Sequence, residues 1–170
     1  MPHRQERGSW KENLRLAKEA ERHVFTYLQK SRQYKTIIDF TYPEPLTKWI
    51  TETVNKLRDY GVLKHFNALK GTKYDFMARY RDHVVFIDAK GKSTDKWLYW
   101  GCGTTTEAYD KYFDLSRLAP FHIIIWVKNA NKLYRHVVRN PKTLPYEIFE
   151  NRWGYYAYRI PKDEVEELKE

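Results

Sequence analysis

The prediction of the fold rests on the stretch KYDFMARYRDHVVFIDAK, residues 73 to 90. Two runs rich in aromatic and β-branched residues flank the pair Arg81-Asp82, which indicates two strands joined by a tight hairpin turn. If the turn is centred on that pair, Asp75 is expected directly opposite Asp88. An odd-length turn would break this pairing, so the prediction depends on the register of the hairpin.

Alternation along the second strand predicts which side chains project together. Asp88 and Lys90 share a face with Val84 and Phe86, because successive side chains of a strand point to opposite faces. Opposed side chains in an antiparallel pair lie about 4.5–5.5 Å apart at Cβ, so two facing carboxylates repel each other. A bound divalent cation would offset that repulsion. The alternative is that Asp88 and Lys90 only mark the end of a strand.

The residues after this strand, Gly91-Lys92-Ser93, have the form of the end of a phosphate-binding P-loop. A P-loop requires a glycine five positions before Gly91, where backbone N–H groups wrap around the phosphates. That position holds Phe86, in the middle of the apolar run. The sequence therefore excludes a P-loop here.

A further acidic residue, Glu21, is expected to point inward from the first helix. Ser9 and Glu12 form a capping box, and a helical pattern follows to about Lys30. The residues predicted to face the core are Leu14, Ala17, Glu21, Val24 and Leu28. A glutamate on such a stripe serves a site, pairs with a buried arginine, or extends its carboxylate to solvent at the edge of the core, and these alternatives stay open.

The remaining segments complete a mixed sheet flanked by helices, in the order α-β-(α)-β-β-α-β-β, which places the chain in the α/β class. The predicted elements after the first helix are a strand at 34–42, a helix at 46–60, extended segments at 62–69, 73–80 and 83–90, a helix from Thr104 to about Leu118, strands at 121–128 and 132–139, and a short strand at 155–160 before an acidic tail.

Composition limits the classes of function. The 170 residues suit one compact domain, 1–170. They carry a net charge of +9, which favours a polyanionic partner such as nucleic acid, with attraction to an anionic membrane surface or simple solubility as the alternatives. The single cysteine, Cys102, excludes a disulfide framework. The sequence has no apolar stretch of the kind that forms a signal peptide or spans a bilayer. We therefore expect an intracellular, cytoplasmic protein with no membrane partner.

Taken together, these residues resemble the PD-(D/E)xK nuclease superfamily, which has the restriction-endonuclease-like fold. The resemblance rests on Glu21, Gly71-Thr72-Lys73-Tyr74-Asp75 and Phe86-Ile87-Asp88-Ala89-Lys90, and the helix segment 20–28 is similar to the first helix of archaeal Holliday-junction resolvases. It covers roughly residues 10 to 128 and leaves 129–170 outside. Tyr74 replaces the proline of the motif, Asp88 replaces the commoner glutamate, and residues 43–60 form an insertion.

The resemblance implies a divalent-metal-dependent DNA endonuclease, of the kind that acts on branched or recombination and repair DNA. In that family pattern Asp75 and Asp88 bind Mg²⁺ or Mn²⁺ with the backbone carbonyl of Ala89, and Glu21 completes the metal shell. Lys90 would orient or deprotonate the attacking water. The alternative is a nucleic-acid-binding module that keeps the fold without catalysis.

Other residues have a role only by their position in the sequence. The lysines expected to contact phosphates, or else to be merely solvated, are Lys73, Lys92, Lys96 and Lys111. The loop aromatics expected to stack on bases or to pack on the next helix are Trp97, Tyr99 and Trp100. Glu107 stands where some relatives place a polar active-site residue, but its position three after Thr104 favours a capping role. A homodimer is expected by analogy with relatives that cut two strands.

Overall fold

A computed structural model of the chain describes residues 2–39, 74–93, 104–143, 147–150, 154 and 156–169. Several predictions fall outside these residues. They concern the helix 46–60, the extended segment 62–69, and the residues Lys73, Lys96, Trp97, Tyr99, Trp100 and Cys102. They stay predictions.

The described elements form an α/β protein with a mixed sheet flanked by helices, as predicted for the class. They are α1 (Pro2–Lys30), β1 (Tyr34–Asp39), β2 (Phe76–Tyr80), β3 (His83–Lys92), β4 (Thr104–Thr105), α2 (Thr106–Ser116), β5 (Phe121–Val127), β6 (Lys132–Val137), β7 (Glu147–Glu150), β8 (Tyr156–Arg159), a 3-10 turn (Lys162–Glu164) and β9 (Glu166–Leu168).

Six of the strands build the main sheet in the order β1-β2-β3-β5-β6-β9. β3 and β5 pair in parallel, and the other neighbours in this sheet are antiparallel. The chain between β3 and β5 carries α2, as a parallel pair requires a crossover connection. A second sheet of three antiparallel strands has the order β4-β8-β7.

The β2–β3 hairpin has the predicted register. Tyr80 pairs with His83 next to the turn, and Phe76 pairs with Ile87 at the far end. The turn places Arg81 at a φ of 56°, a left-handed conformation that is uncommon for a residue with a side chain. This register brings the residue before β2, Asp75, level with Asp88.

The two faces of the main sheet bury two separate cores, and the predicted alternation of β3 is confirmed. Val84 and Phe86 pack on the α2 side, in the core that includes Tyr109 and Tyr112. The alternate residues of β3 face α1. Those buried there are Val85, Ile87 and Ala89, which pack with Val24, Tyr27 and Leu28 of the helix. Asp88 and Lys90 therefore belong to the α2 face by position in the strand.

α1 differs from its prediction in both start and rotation. It begins at Pro2 rather than at Ser9, and Leu14, predicted to face the core, is 46% exposed. Ala20 is fully buried instead. The reason lies in Gly91 of β3, where a Cβ atom would stand 2.8 Å from both Cγ and O of Leu16. Because Gly91 has no side chain, α1 packs close to β3 at this point, and Leu16 and Ala20 face the sheet.

The acidic end of the chain contains structure that the sequence did not reveal. β9 forms an edge strand, and its Glu166 binds Arg135 of β6 through Oε2 and Nη2 at 2.7 Å. β7 was not predicted either, whereas β8 matches the predicted aromatic strand. Neither α1 nor α2 combines the length and apolar character that crossing a membrane demands.

Candidate active site

Two acidic side chains meet where β2 begins. The backbone N–H of Asp75 donates to the carbonyl of Ile87 at 3.0 Å, and Asp75 Oδ2 accepts from the backbone N–H of Ala89 at 2.8 Å. The carboxyl groups of Asp75 and Asp88 lie within hydrogen-bonding reach of each other. Burial and then the charge of Asp88 raise the pKa of Asp75 to about 8, so burial and the neighbouring charge both favour the protonated form of this carboxyl.

Asp88 is buried, and one of its carboxylate oxygens accepts two hydrogen bonds. Its Oδ2 accepts from Nζ of Lys90 at 2.9 Å and from the hydroxyl of Tyr112 at 3.0 Å. The Lys90 ammonium lies 5.7 Å from the centre of the Tyr112 ring and retains about a third of its side-chain exposure to solvent (36%). Burial lowers the pKa of Lys90, but the charge of Asp88, together with Tyr112 and the hydrogen bonds to both residues, raises it by more, so the net shift is upward. Lys90 is therefore charged.

Glu21 reaches the same region from α1. It is half-buried, and its pKa is raised by burial first and then by repulsion from Asp39 and Asp88. The charge of Glu21 also contributes to the raised pKa of Asp75. The acidic cluster thus consists of four carboxyl groups from α1, the end of β1, and the start and end of the hairpin: Glu21, Asp39, Asp75 and Asp88.

Asp39 was missed by the sequence analysis. It is the last residue of β1 and is almost fully buried, opposite Phe76, the residue that follows Asp75. The signal was present, since Asp39 is the one acid in the predicted strand and follows two isoleucines, Ile37 and Ile38. A buried acid at the end of an apolar run costs free energy unless it is compensated, and is a functional candidate for that reason.

Tyr112 was also missed, and in its case the sequence gives no distinctive sign. It lies on the buried face of α2 with Tyr109 and Leu115, a spacing that indicates core packing. Burial, followed by the charge of Asp88, raises the pKa of the Tyr112 hydroxyl, which keeps it protonated as a hydrogen-bond donor. Only the parallel crossover from β3 to β5 brings this hydroxyl to Asp88.

The donor types in the acidic cluster suit a hard divalent cation, which prefers carboxylate and carbonyl oxygens. The two facing carboxyl groups are Asp88, within β3, and Asp75, directly before β2 and anchored by hydrogen bonds to Ile87 and Ala89. In the part of the chain that the structure describes, no three side chains of the ligand types are gathered closely enough to hold a metal ion. Metal binding at this cluster therefore requires side-chain rearrangement, because Lys90 and Tyr112 already engage Asp88.

The other predicted residues lie away from this contact. Lys111 pairs with Glu107 at 3.3 Å, an exposed ion pair on the surface of α2. The helix cap is Thr105 rather than Thr104, since Oγ1 of Thr105 accepts from the N–H of Ala108 at 3.3 Å. Glu107 therefore stands in the first turn but does not close a capping box. Lys92, the last residue of β3, is half-exposed.

Tyr74, in the position of the motif proline, is buried against Phe86 with the ring centroids 5.1 Å apart. Burial raises the pKa of Tyr74 to about 12, so this residue is a neutral part of the core.

No protein-family model, curated protein or solved structure matches this chain. The geometry around Asp75, Asp88 and Lys90 is accordingly the basis on which a function can be argued.

Proposed function

We propose that this protein is a divalent-metal-dependent DNA endonuclease of the PD-(D/E)xK type, with a restriction-endonuclease-like fold. One observation supports the proposal above the others. Asp75 and Asp88 place their carboxyl groups in mutual contact on a buried hairpin, with the ammonium of Lys90 on the second of them. This arrangement is costly for a structural pair and suits a site that binds a cation and a phosphate.

The chemistry follows from what phosphodiester hydrolysis needs. A Mg²⁺ or Mn²⁺ ion at such a site lowers the pKa of a bound water and neutralises charge on the phosphate. Asp75 and Asp88, the carbonyl of Ala89 and the carboxylate of Glu21 would hold it. Lys90 is the positioned cation that orients the attacking water and faces the negative phosphate. Tyr112 donates to Asp88 and fixes the orientation of its carboxylate.

The proposed substrate is DNA, on the strength of the net charge of +9. Branched, recombination or repair intermediates are the substrate class that the first-helix resemblance implies. On the same basis we propose that the enzyme acts in the cytoplasm and as a homodimer that cleaves two strands.

The test is cleavage of plasmid, linear duplex, single-stranded and four-way-junction DNA in Mg²⁺, in Mn²⁺ and in EDTA. Asp88→Asn and Lys90→Ala are expected to abolish metal-dependent cleavage. The matched controls are Asp82→Asn, at the exposed hairpin turn, and Lys142→Ala, an exposed residue outside the cluster. Cleavage that persists in the combined Asp88 and Lys90 variant would refute the assignment.

A non-catalytic nucleic-acid-binding module is the second candidate. It is favoured by one observation, that Lys90 and Tyr112 already occupy Oδ2 of Asp88. This candidate predicts duplex binding that is indifferent to metal and to Asp75→Ala, together with no cleavage of any of the four substrates. Isothermal titration of Mn²⁺ separates the two, because only the nuclease is expected to lose metal binding in Asp75→Ala.

A further inference from the structure

The solvent-facing side of α1 carries a line of basic residues, which we call the basic stripe. Its members are all exposed and recur at spacings of four, three and four residues: Lys11, Arg15, Lys18 and Arg22. At 3.6 residues per turn these positions fall on one face of the helix. In the sequence, Arg4 and Arg7 continue the same spacing toward the start of α1.

Acidic residues of α1 avoid this face. Glu12 and Glu19 lie on one flank of the helix and Glu21 on the other, as 100° per residue requires. Glu19 is paired with Lys128 at 3.3 Å, away from the basic stripe. Among residues with described side chains, no ion pair neutralises a member of the stripe. It is therefore a continuous positive surface, not a set of intrahelical pairs.

The C-terminal end of the basic stripe lies beside Glu21, the member of the acidic cluster on α1, and the stripe extends from there toward the N-terminus of the helix. Ala20 and Leu16 pack on Gly91, near the end of β3. Farther along α1, Tyr27 contacts Tyr34. Tyr34 pairs with Tyr80, which lies just before the start of β3. α1 is thus antiparallel to β3. The helix residues before Leu16 extend about 21 Å, at 1.5 Å per residue, past the level of Gly91. Lys18, within the stripe, is close enough to Glu21 to lower its pKa.

We propose that the basic stripe binds the phosphate backbone of a DNA duplex. The inference rests on the proposed function for the identity of the polyanion. A lipid surface fits less well, because the apolar side of α1, with Val24 and Leu28, is buried on the sheet and is not available for insertion. A regular row of cations suits the repeated charges of a nucleic acid backbone.

The experiment compares two variants that lose the same number of charges. In the stripe variant, Lys11, Arg15, Lys18 and Arg22 are changed to Gln. In the control variant, the exposed residues Arg32, Lys35, Lys142 and Lys169 are changed to Gln. Binding of a fluorescent duplex of about 20 base pairs is measured by anisotropy, in EDTA, from about 50 to 200 mM salt. EDTA separates binding from cleavage.

The slope of log affinity against log salt is expected to become shallower by about 3 to 4 in the stripe variant, because each lost phosphate contact removes about 0.9. The control is expected to change by less than about 1. Equal changes in the two variants, or no change in the stripe variant, would overturn the inference. Circular dichroism checks folding, and the double variants Lys11/Arg15 and Lys18/Arg22 serve if the quadruple variant is unfolded.

Two further arms identify the partner and the source of any failure. Phosphatidylserine vesicles replace the duplex in the first arm, and stripe-dependent binding to vesicles but not to DNA would overturn the inference. The second arm repeats the Asp88→Asn cleavage test. Normal cleavage by Asp88→Asn with a stripe-dependent DNA slope would refute the nuclease site and leave the binding surface intact.

Discussion

Two clusters of polar side chains lie along the main sheet, and they differ in whether each charge meets an opposite charge or a hydrogen-bond partner. One is the acidic cluster around Asp75 and Asp88. The other is the tyrosine–histidine network, formed on the α1 side and at the β6–β9 edge by Tyr34, His122, Arg135 and Glu166. Both involve strands of the same sheet, with Glu21 added from α1 in the acidic cluster, and the difference between them lies in side-chain chemistry.

Each donor in the tyrosine–histidine network meets an acceptor. Arg135 donates to the hydroxyl of Tyr34 at 3.0 Å, and this hydroxyl forms a hydrogen bond with Nδ1 of His122 at 2.8 Å. The second amino group of Arg135 binds Glu166. Burial and the charge of Arg135 lower the pKa of His122 to about 3, which keeps the ring neutral. A satisfied network of this kind supports the fold.

The acidic cluster places like charges together with one ammonium group on Asp88. Asp39 and Asp88 both repel Glu21, and Asp75 is repelled by Asp88 and Glu21 while its carboxyl accepts from the backbone N–H of Ala89. The contrast shows that burial of polar groups has two outcomes. Matched donors and acceptors give stability, whereas like charges placed together lower stability, and for that reason we propose the acidic cluster as a cation site.

The largest expected effect is on catalysis. Lys90→Ala should lower the single-turnover rate of metal-dependent DNA cleavage by about 10²- to 10⁴-fold, the range for loss of a positioned proton-transfer group. Lys142→Ala should leave the rate unchanged. A rate for Lys90→Ala within about twofold of wild type would show that Lys90 has no catalytic role.

The second prediction concerns pH and the metal-free protein. The pKa of Asp75 is raised on folding, so the folded state binds more protons than the unfolded state between the ordinary carboxyl pKa of 3.8 and about 8. The contribution of Asp75 to stability therefore falls as pH rises through that window, with a slope approaching about 1.4 kcal/mol per pH unit. Urea unfolding in EDTA from pH 5 to 8 measures it. Asp75→Asn should flatten the decline, and an unchanged slope would contradict the assignment.

The third prediction tests the tyrosine–histidine network. Tyr34→Phe removes the hydroxyl between Arg135 and His122 and leaves buried polar atoms without their partner. The free energy of unfolding should fall by about 2 to 3 kcal/mol. Cleavage by the remaining folded protein should equal that of wild type. Loss of cleavage without loss of stability would reverse the roles given to the two regions.

The smallest expected effect is at Gly91, which connects α1 to the cluster. Gly91→Ala would put a methyl group 2.8 Å from the backbone oxygen of Leu16, so the helix must move. Overpacking of this kind costs about 1 to 2 kcal/mol. Because Glu21 moves with the helix, Mn²⁺ affinity should fall as well, measured by titration calorimetry. Wild-type stability and affinity would show that the close approach has no role.

The hairpin was predictable because its information is local. A two-residue turn fixes the register, and alternation then assigns the faces of Asp88 and Lys90. The rotation of α1 was not predictable, since it depends on Gly91, far away in the sequence. Tyr112 depends likewise on a long crossover. β9 was hidden because an edge strand with charged side chains has no alternating apolar pattern.

The hairpin also has a consequence for the order of folding. Its two strands are adjacent in the chain, and hairpins close in about 1–10 μs, faster than contacts between distant segments. Asp75 and Asp88 are therefore expected to meet early, with Lys90 as the nearest countercharge, before Glu21 and Tyr112 arrive from remote helices. A divalent cation present during refolding would favour that early encounter, so the ion that we propose for catalysis would also accelerate formation of the hairpin.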